Sequence, residues 1–241
     1  TLDNGISAHE FVDELAQAGI DCIIVDHHHV GGGVPRSRAV INPKRRDGHK
    51  YPFDELCGAG IAFKLAWALA MHFSHNKRVT PELRRFLLDS VALAGAGTLA
   101  DVVPLVGENR VLAHHGLKAL HRTSMPGLRA LLANCRVKGH PRVRDVTYKL
   151  APRINAAGRC GKVDEALELL LTEDAEVAGK LASALETYNA ERQGIESGIL
   201  EEARLQALAM LERAPDCRSL VLESPDWHPG VIGIVASRIV E

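Results

Sequence analysis

The stretch Asp21-Cys22-Ile23-Ile24-Val25-Asp26-His27-His28 constrains the fold more than any other part of the chain. Cys22–Val25 is a short, mostly β-branched apolar run without polar alternation. That pattern predicts a strand of a parallel sheet covered on both faces. Such strands end at the carboxyl edge of the sheet, where open α/β folds bind ligands. A strand that ends in Asp-His-His therefore carries one carboxylate and two imidazoles to a ligand-binding edge.

The flanking pattern fits an α/β chain. Residues 7–18 have helical periodicity through Phe11, Val12 and Leu15, with Ser7 as the N-cap and Gly19 just past the end. Gly31-Gly32-Gly33 and Pro35 form a loop, and Ala39-Val40-Ile41 is a second strand closed by Asn42-Pro43. Beyond Gly58 the pattern is mostly helical, over 61–73, 81–94, 108–120, 126–134 and 164–171. Residues 174–212 lack Pro and are rich in Ala, Leu and Glu, which predicts one or two long helices acting as a connector. A strand over 219–222 and a helix over 230–240 then open a second α/β domain. The expected organisation is a parallel-sheet domain with a helical portion over 1–172, a connector over 173–214, and the start of the second domain over 215–241. The chain begins on an apparent strand end and stops inside a helical pattern, so it reads as a piece of a longer protein.

No apolar run approaches the ~18–20 residues that a membrane span needs. Five cysteines, an odd number without a CxxC pair, favour reduced thiols in a cytoplasm over a disulfide framework or a structural zinc. A net charge of −1 predicts no general attraction to nucleic acid. The charge is segregated, however. Residues 136–162 carry eight Lys/Arg against Asp145 alone, whereas 163–212 carry twelve acids against three bases. A neutral protein patterned in this way can still hold a local polyanion site.

Two more carboxylates belong with the Asp-His-His strand end. Asp3 closes an apparent first strand, Leu2-Asp3-Asn4-Gly5, and should reach the same edge. Asp101 sits in the apolar run Thr98–Val103, where a buried carboxylate is costly unless paired or metal-bound. Imidazole and carboxylate donors without thiolate suit Mn²⁺ or Mg²⁺, in a centre for phosphoester hydrolysis. His29 and the pair His114-His115 lack such a context and read as ordinary residues.

Several separate stretches resemble the DHH phosphoesterase superfamily. LDNGIS (2–7) is similar to its second motif, IIVDHH (23–28) to its third and GTLADVVPLVGENR (97–110) to its fourth. APRINAAGR (151–159), NAERQ (189–193) and DWHPGVIGIVASRI (226–239) resemble one branch in particular, the RecJ family of exonucleases. The resemblance implies hydrolysis of single-stranded DNA from 5′ to 3′ into mononucleotides, in DNA repair and recombination. It implies two divalent ions, Mn²⁺ or Mg²⁺, with Asp3 bridging them and His27 and Asp101 completing the coordination of one. His28 would face the scissile phosphate, and Asp26 would support the histidine pair. Arg159, in a Gly-flanked turn, would hold DNA phosphate with Arg153 and Asn155 shaping the loop, and His228 and Arg238 would face the cleft. Gly230 and Gly233 suit close backbone approach there. The strand would thread a basic cleft between the two domains, held through its backbone.

The resemblance also implies a monomer that works beside a repair helicase or a single-strand-binding protein. An Asp-x-Asp motif that belongs to the family's first strand would lie before Thr1, so the isolated chain is expected to be weakly active or inactive. Other members of the superfamily act on short RNA or cyclic dinucleotides, and some relatives are non-catalytic replication scaffolds. The scaffold reading conflicts with the presence of Asp3, His27, His28 and Asp101.

Overall fold

The computed structural model describes residues 3–48, 51–75 and 78–240. Among them the elements run α1 (His9–Gln17), β1 (Ile23–Val25), β2 (Ala39–Ile41), α2 (Gly58–Phe73), α3 (Pro81–Ala100), α4 (Gly107–His121) and α5 (Pro126–Asn134). There follow a short turn α6 (Val143–Asp145), a π-helical turn (Val146–Leu150), α7 (Ala151–Arg159), α8 (Val163–Leu171), α9 (Ala175–Arg213) and α10 (Pro229–Val240). The class is α/β, with helices dominating a small parallel sheet. The chain divides into two compact units, residues 1–124 with 137–148, and residues 125–136 with 149–241.

In the first unit β1 and β2 pair in parallel, Ile23 opposite Ala39 and Val25 opposite Ile41. The two faces of β1 are filled differently. Cys22 and Ile24 pack with Val12 of α1, and Val25 packs with Leu56 and with Ile61 of α2. Ile23, expected to be covered, is half exposed, because alternation sends it to the Val25 face, ahead of the α2 contact. Helix α1 has Ala8, not Ser7, at its N-cap position and no side-chain cap bond. Gly19 does follow its end, at φ +73°. The Leu2–Asp3 strand falls partly outside the described residues. Asp3 donates its N–H to the carbonyl of Val25 at 2.8 Å, so the backbone there lies beside the end of β1.

Helices α3 and α4 approach until Gly95 and Gly116 touch backbone to backbone. A Cβ added at Gly116 would lie 2.5 Å from the Gly95 Cα. Neither backbone can move without dragging its helix, so Gly116→Ala is expected to cost about 1–3 kcal/mol. A urea titration should report this as a lower midpoint. An unchanged midpoint would mean that the helices can separate freely.

The second unit is organised by α9. Its buried residues Ala178, Ala182, Leu185, Asn189, Glu196, Ile199, Ala203 and Ala207 recur at steps of three, four or seven positions, one stripe along a helix of about 58 Å. The stripe packs against α5, α7 and α8, and farther along against Val231 and Val235 of α10. The stretch read as a connector is therefore the core element of this unit. The boundary drawn at 172 falls inside the unit for the same reason. Residues 219–222 run without a ladder partner among the described residues, and the strand expected there is absent from them.

Candidate functional site

The carboxyl end of β1 builds its site from the backbone outward. Asp26 is 1% exposed, and its carboxylate is fully engaged. One oxygen accepts the N–H of Ile6 at 2.9 Å. The other accepts the N–H groups of His27 at 2.7 Å and His28 at 3.1 Å, together with Nδ1 of the His28 ring at 2.7 Å. A carboxylate can only accept, so His28 Nδ1 carries the proton and Nε2 is left facing outward. Burial alone would raise the Asp26 pKa, but these donors outweigh it and hold the carboxyl below its usual range.

Asp26→Asn would turn an amide donor toward donors at a buried position. The expected cost is about 2–4 kcal/mol, read from the denaturant midpoint near neutral pH. The sign of the pH dependence follows from the lowered pKa. The Asp26 contribution is present above the ordinary carboxyl pKa and is lost as pH falls through its lower folded value. The gap between the native chain and the variant should therefore narrow in acid. A gap that widens there would contradict the ionised, hydrogen-bonded carboxylate.

His27 lies between two carboxylates. Its Nε2 is 3.0 Å from Asp3 Oδ1 and its Nδ1 is 3.8 Å from Asp101 Oδ2. The first is a hydrogen-bond distance and the second is not. The apolar run around Asp101 predicts a buried carboxylate. It is instead the exposed C-cap of α3, so no burial penalty holds it in place. Asp3, also exposed, sits in the left-handed region at φ +59°, which aspartate tolerates. Ligand atoms of Asp3, His27 and His28 come together within 4.8 Å of one another.

Gly58, the first residue of α2, makes room for this arrangement. A Cβ at that position would be 2.3 Å from Asp3 Oδ1. Sequence reasoning passed over Gly58, and no local pattern marks it, since the contact joins residues 55 positions apart in the chain. Cys57 caps α2 by accepting from Gly60 N–H, and its sulfur lies 3.4 Å from Thr98 Oγ1 on α3. The start of α2 and the end of α3 are thereby held together, which brings Asp3 and Asp101 to the same histidine.

In the second unit Asn155, Arg159 and His228 line one surface hollow of about 790 Å³ with Gly158 and Gly230. Arg159 is the last residue of α7, not part of a turn. The segment is helical because Pro152 lies in its first turn, where its missing N–H costs nothing. Arg159 donates to the carbonyl of Gly230, and His228 Nδ1 accepts the N–H of Gly230 at 3.1 Å. A Cβ at Gly230 would press on that His228 ring at 3.0 Å. At Gly233 a Cβ would meet nothing within 4 Å.

Arg153 is engaged within the fold. Its guanidinium is held in a two-pronged pair with Glu186 and also donates to the carbonyl of Lys149. Its donors serve the fold rather than a ligand. Arg238 stands away from the hollow and pairs with the buried Glu196 at 3.0 Å.

Against known proteins, the profile described as "DHH family, N-terminal domain" matches residues 1–94. The single-stranded-DNA-specific exonuclease RecJ of Bacillus subtilis (strain 168) is 41% identical over 243 residues, covering 100% of this chain and 29% of that protein. The crystal structure of RecJ from Thermus thermophilus in complex with Mn²⁺ superposes with a TM-score of 0.83 at 39% identity, over 100% of this chain and 34% of that one. A crystal structure of exonuclease RecJ bound to manganese gives a TM-score of 0.82 at 39% identity, over 100% of this chain and 57% of that one. This chain thus spans less than half the length of the curated relatives it matches.

Proposed function

We propose that the chain, matched by the DHH profile over residues 1–94 and by RecJ relatives along its whole length, is the catalytic segment of an exonuclease of the DHH family. The reaction is metal-dependent hydrolysis of single-stranded DNA from 5′ to 3′ into mononucleotides, in repair and recombination. The observation that carries this reading is His27, held at the end of β1 with an aspartate carboxylate beside each ring nitrogen.

The donors fit a Mn²⁺ or Mg²⁺ site. They are oxygens and imidazole nitrogens without thiolate, and they gather in a cradle that a Cβ at Gly58 would fill. Asp3 and His27 would hold the ion, with the exposed Asp101 carboxylate free to turn toward it. Bound there, it supplies charge neutralisation at the scissile phosphodiester and activation of the attacking water.

The remaining tasks fall to the chain itself. Asp26 fixes the His28 ring through Nδ1 and leaves Nε2 to hold or release a proton at the phosphate or the departing oxygen. Arg159, Asn155 and His228 bind phosphate in the hollow of the second unit, where Arg159 is already oriented by the Gly230 carbonyl. Arg238 adds a half-exposed cation elsewhere on that unit, whereas Arg153 shapes α7 from within. We place the protein in the cytoplasm, as a monomer beside a helicase or single-strand-binding partner. No described helix is long and apolar enough to cross a membrane.

The test is single-turnover digestion with the chain in excess, using 5′-labelled single-stranded DNA, duplex DNA and short RNA, with Mn²⁺ or with chelator. The expected result is at most slow release of labelled mononucleotide, from single-stranded DNA alone and abolished by the chelator, together with Mn²⁺ binding. Preference for short RNA would favour the other enzymes of the superfamily. Absence of both hydrolysis and Mn²⁺ binding would overturn the proposal.

A further inference from the structure

Helix α3 ends in an unusual way. Asp101 closes it in the right-handed region, and the next residue, Val102, takes φ +56°. Helices commonly stop with a residue in this left-handed conformation, but the residue is normally Gly or Asn. A β-branched side chain is an outlier there, because its Cβ crowds the following carbonyl. Strained backbone of this kind persists where the local structure serves something other than stability.

Burial does not explain the valine either, since Val102 is 82% exposed. Leu105 and Val106, three and four residues on, are 39% and 57% exposed. A strained, solvent-facing apolar residue directly follows Asp101, and two more exposed apolar residues continue this aliphatic ledge along the chain. Val102 follows Asp101 in the chain, with Cα atoms about 3.8 Å apart, so an exposed apolar residue stands next to a carboxylate of the His27 centre.

We propose that Val102, with Leu105 and Val106 beside it, is a substrate-positioning contact for the base of the nucleotide whose phosphate is held at the His27 centre. This rests on the exonuclease reading above and names the substrate feature that the centre recognises. Single-strand-binding proteins usually stack bases on aromatic rings. Aromatic residues make up only 4% of this chain. An aliphatic ledge is sequence-tolerant in the same way, since every base has an apolar face, and it requires the base to be unpaired. Leaving the isopropyl group exposed in the free chain keeps it available for that contact.

The strain gives the test a distinctive sign. Val102→Gly relieves the left-handed conformation and should raise the melting temperature, by about 2–4 °C. Losing the apolar contact should weaken binding of a short 5′-phosphorylated, phosphorothioate oligonucleotide by about tenfold. Val102→Asn tolerates the same backbone and keeps a side chain of similar size, yet should lose affinity to a similar extent. An oligonucleotide with an abasic 5′-terminal residue should bind the native chain and both variants equally. Higher stability with unchanged affinity would overturn the proposal, because a plain helix terminator predicts that result. A difference that persists on the abasic strand would also overturn it, since Val102 would then act away from the base. Failure of the native chain to bind either strand would overturn the exonuclease reading, and the ledge with it.

Discussion

Replacing His27 with alanine is expected to lower Mn²⁺ affinity by at least about 100-fold while changing metal-free stability by no more than about 1 kcal/mol. The affinity estimate is a lower bound, because changing outer partners of metal ligands already costs about 10–100-fold. The stability estimate follows from what surrounds the ring. Nε2 faces Asp3 and Nδ1 faces Asp101, both exposed, so neither carboxylate is stranded in a dry interior when the imidazole goes. Removing it places two screened negative charges near each other, a modest penalty in water. Thermal unfolding with and without Mn²⁺ separates the two effects. At an ion concentration about 100 times Kd, the native chain should gain about 2.7 kcal/mol. The variant, at about its own Kd or below, should gain no more than about 0.4 kcal/mol. A variant that keeps the Mn²⁺-dependent rise would place the ion on other residues, and His27 would lose its role.

How legible this site was depends on the range of each interaction. The β1 strand end, its parallel partner β2 and the positions of most helices are local patterns, and they could be read along the chain. Asp3, Asp26, His27, His28 and Asp101 were singled out as candidates because their residue types are costly or unusual in those settings. What could not be read was environment. Asp101 looked buried because its neighbours in sequence are apolar, yet only Thr98 and Leu99 turn inward along α3, while Asp101 at its C-cap and Val102 beyond it are exposed. Arg153 was expected to shape the loop at Arg159, but the partner through which it does so, Glu186, lies 33 residues away on α9 and could not be read locally. Arg159 was expected in a Gly-flanked turn, but it ends α7, a helix in whose first turn Pro152 is tolerated. Residues 174–212 resembled a connector because their small apolar residues are spread among charges. Only packing against four other helices reveals the Ala-rich stripe as a core.

Gly58→Ala should separate function from folding most sharply. The added Cβ would fall 2.3 Å from Asp3 Oδ1 and 3.1 Å from Asp3 Cβ. Unlike the backbone contact at Gly116, the obstacle is the end of a side chain, which can swing away. Asp3 is exposed, so the displaced carboxylate finds water and little stability is lost. The alanine itself favours helix over glycine, by up to about 1 kcal/mol in a helix interior and less at a first position. Folding stability should therefore be unchanged or slightly higher. The centre should suffer, since a carboxylate shifted by about 1 Å no longer meets His27 in the same geometry, and such a displacement can cost about 100-fold in rate. Mn²⁺ titration calorimetry and denaturant unfolding on the same preparation decide the matter. Weakened metal binding in a chain of native stability supports Asp3 as a ligand cradled by Gly58. Native metal affinity in Gly58→Ala would show that Asp3 can leave His27 without consequence, and the metal centre would then have to be built without it.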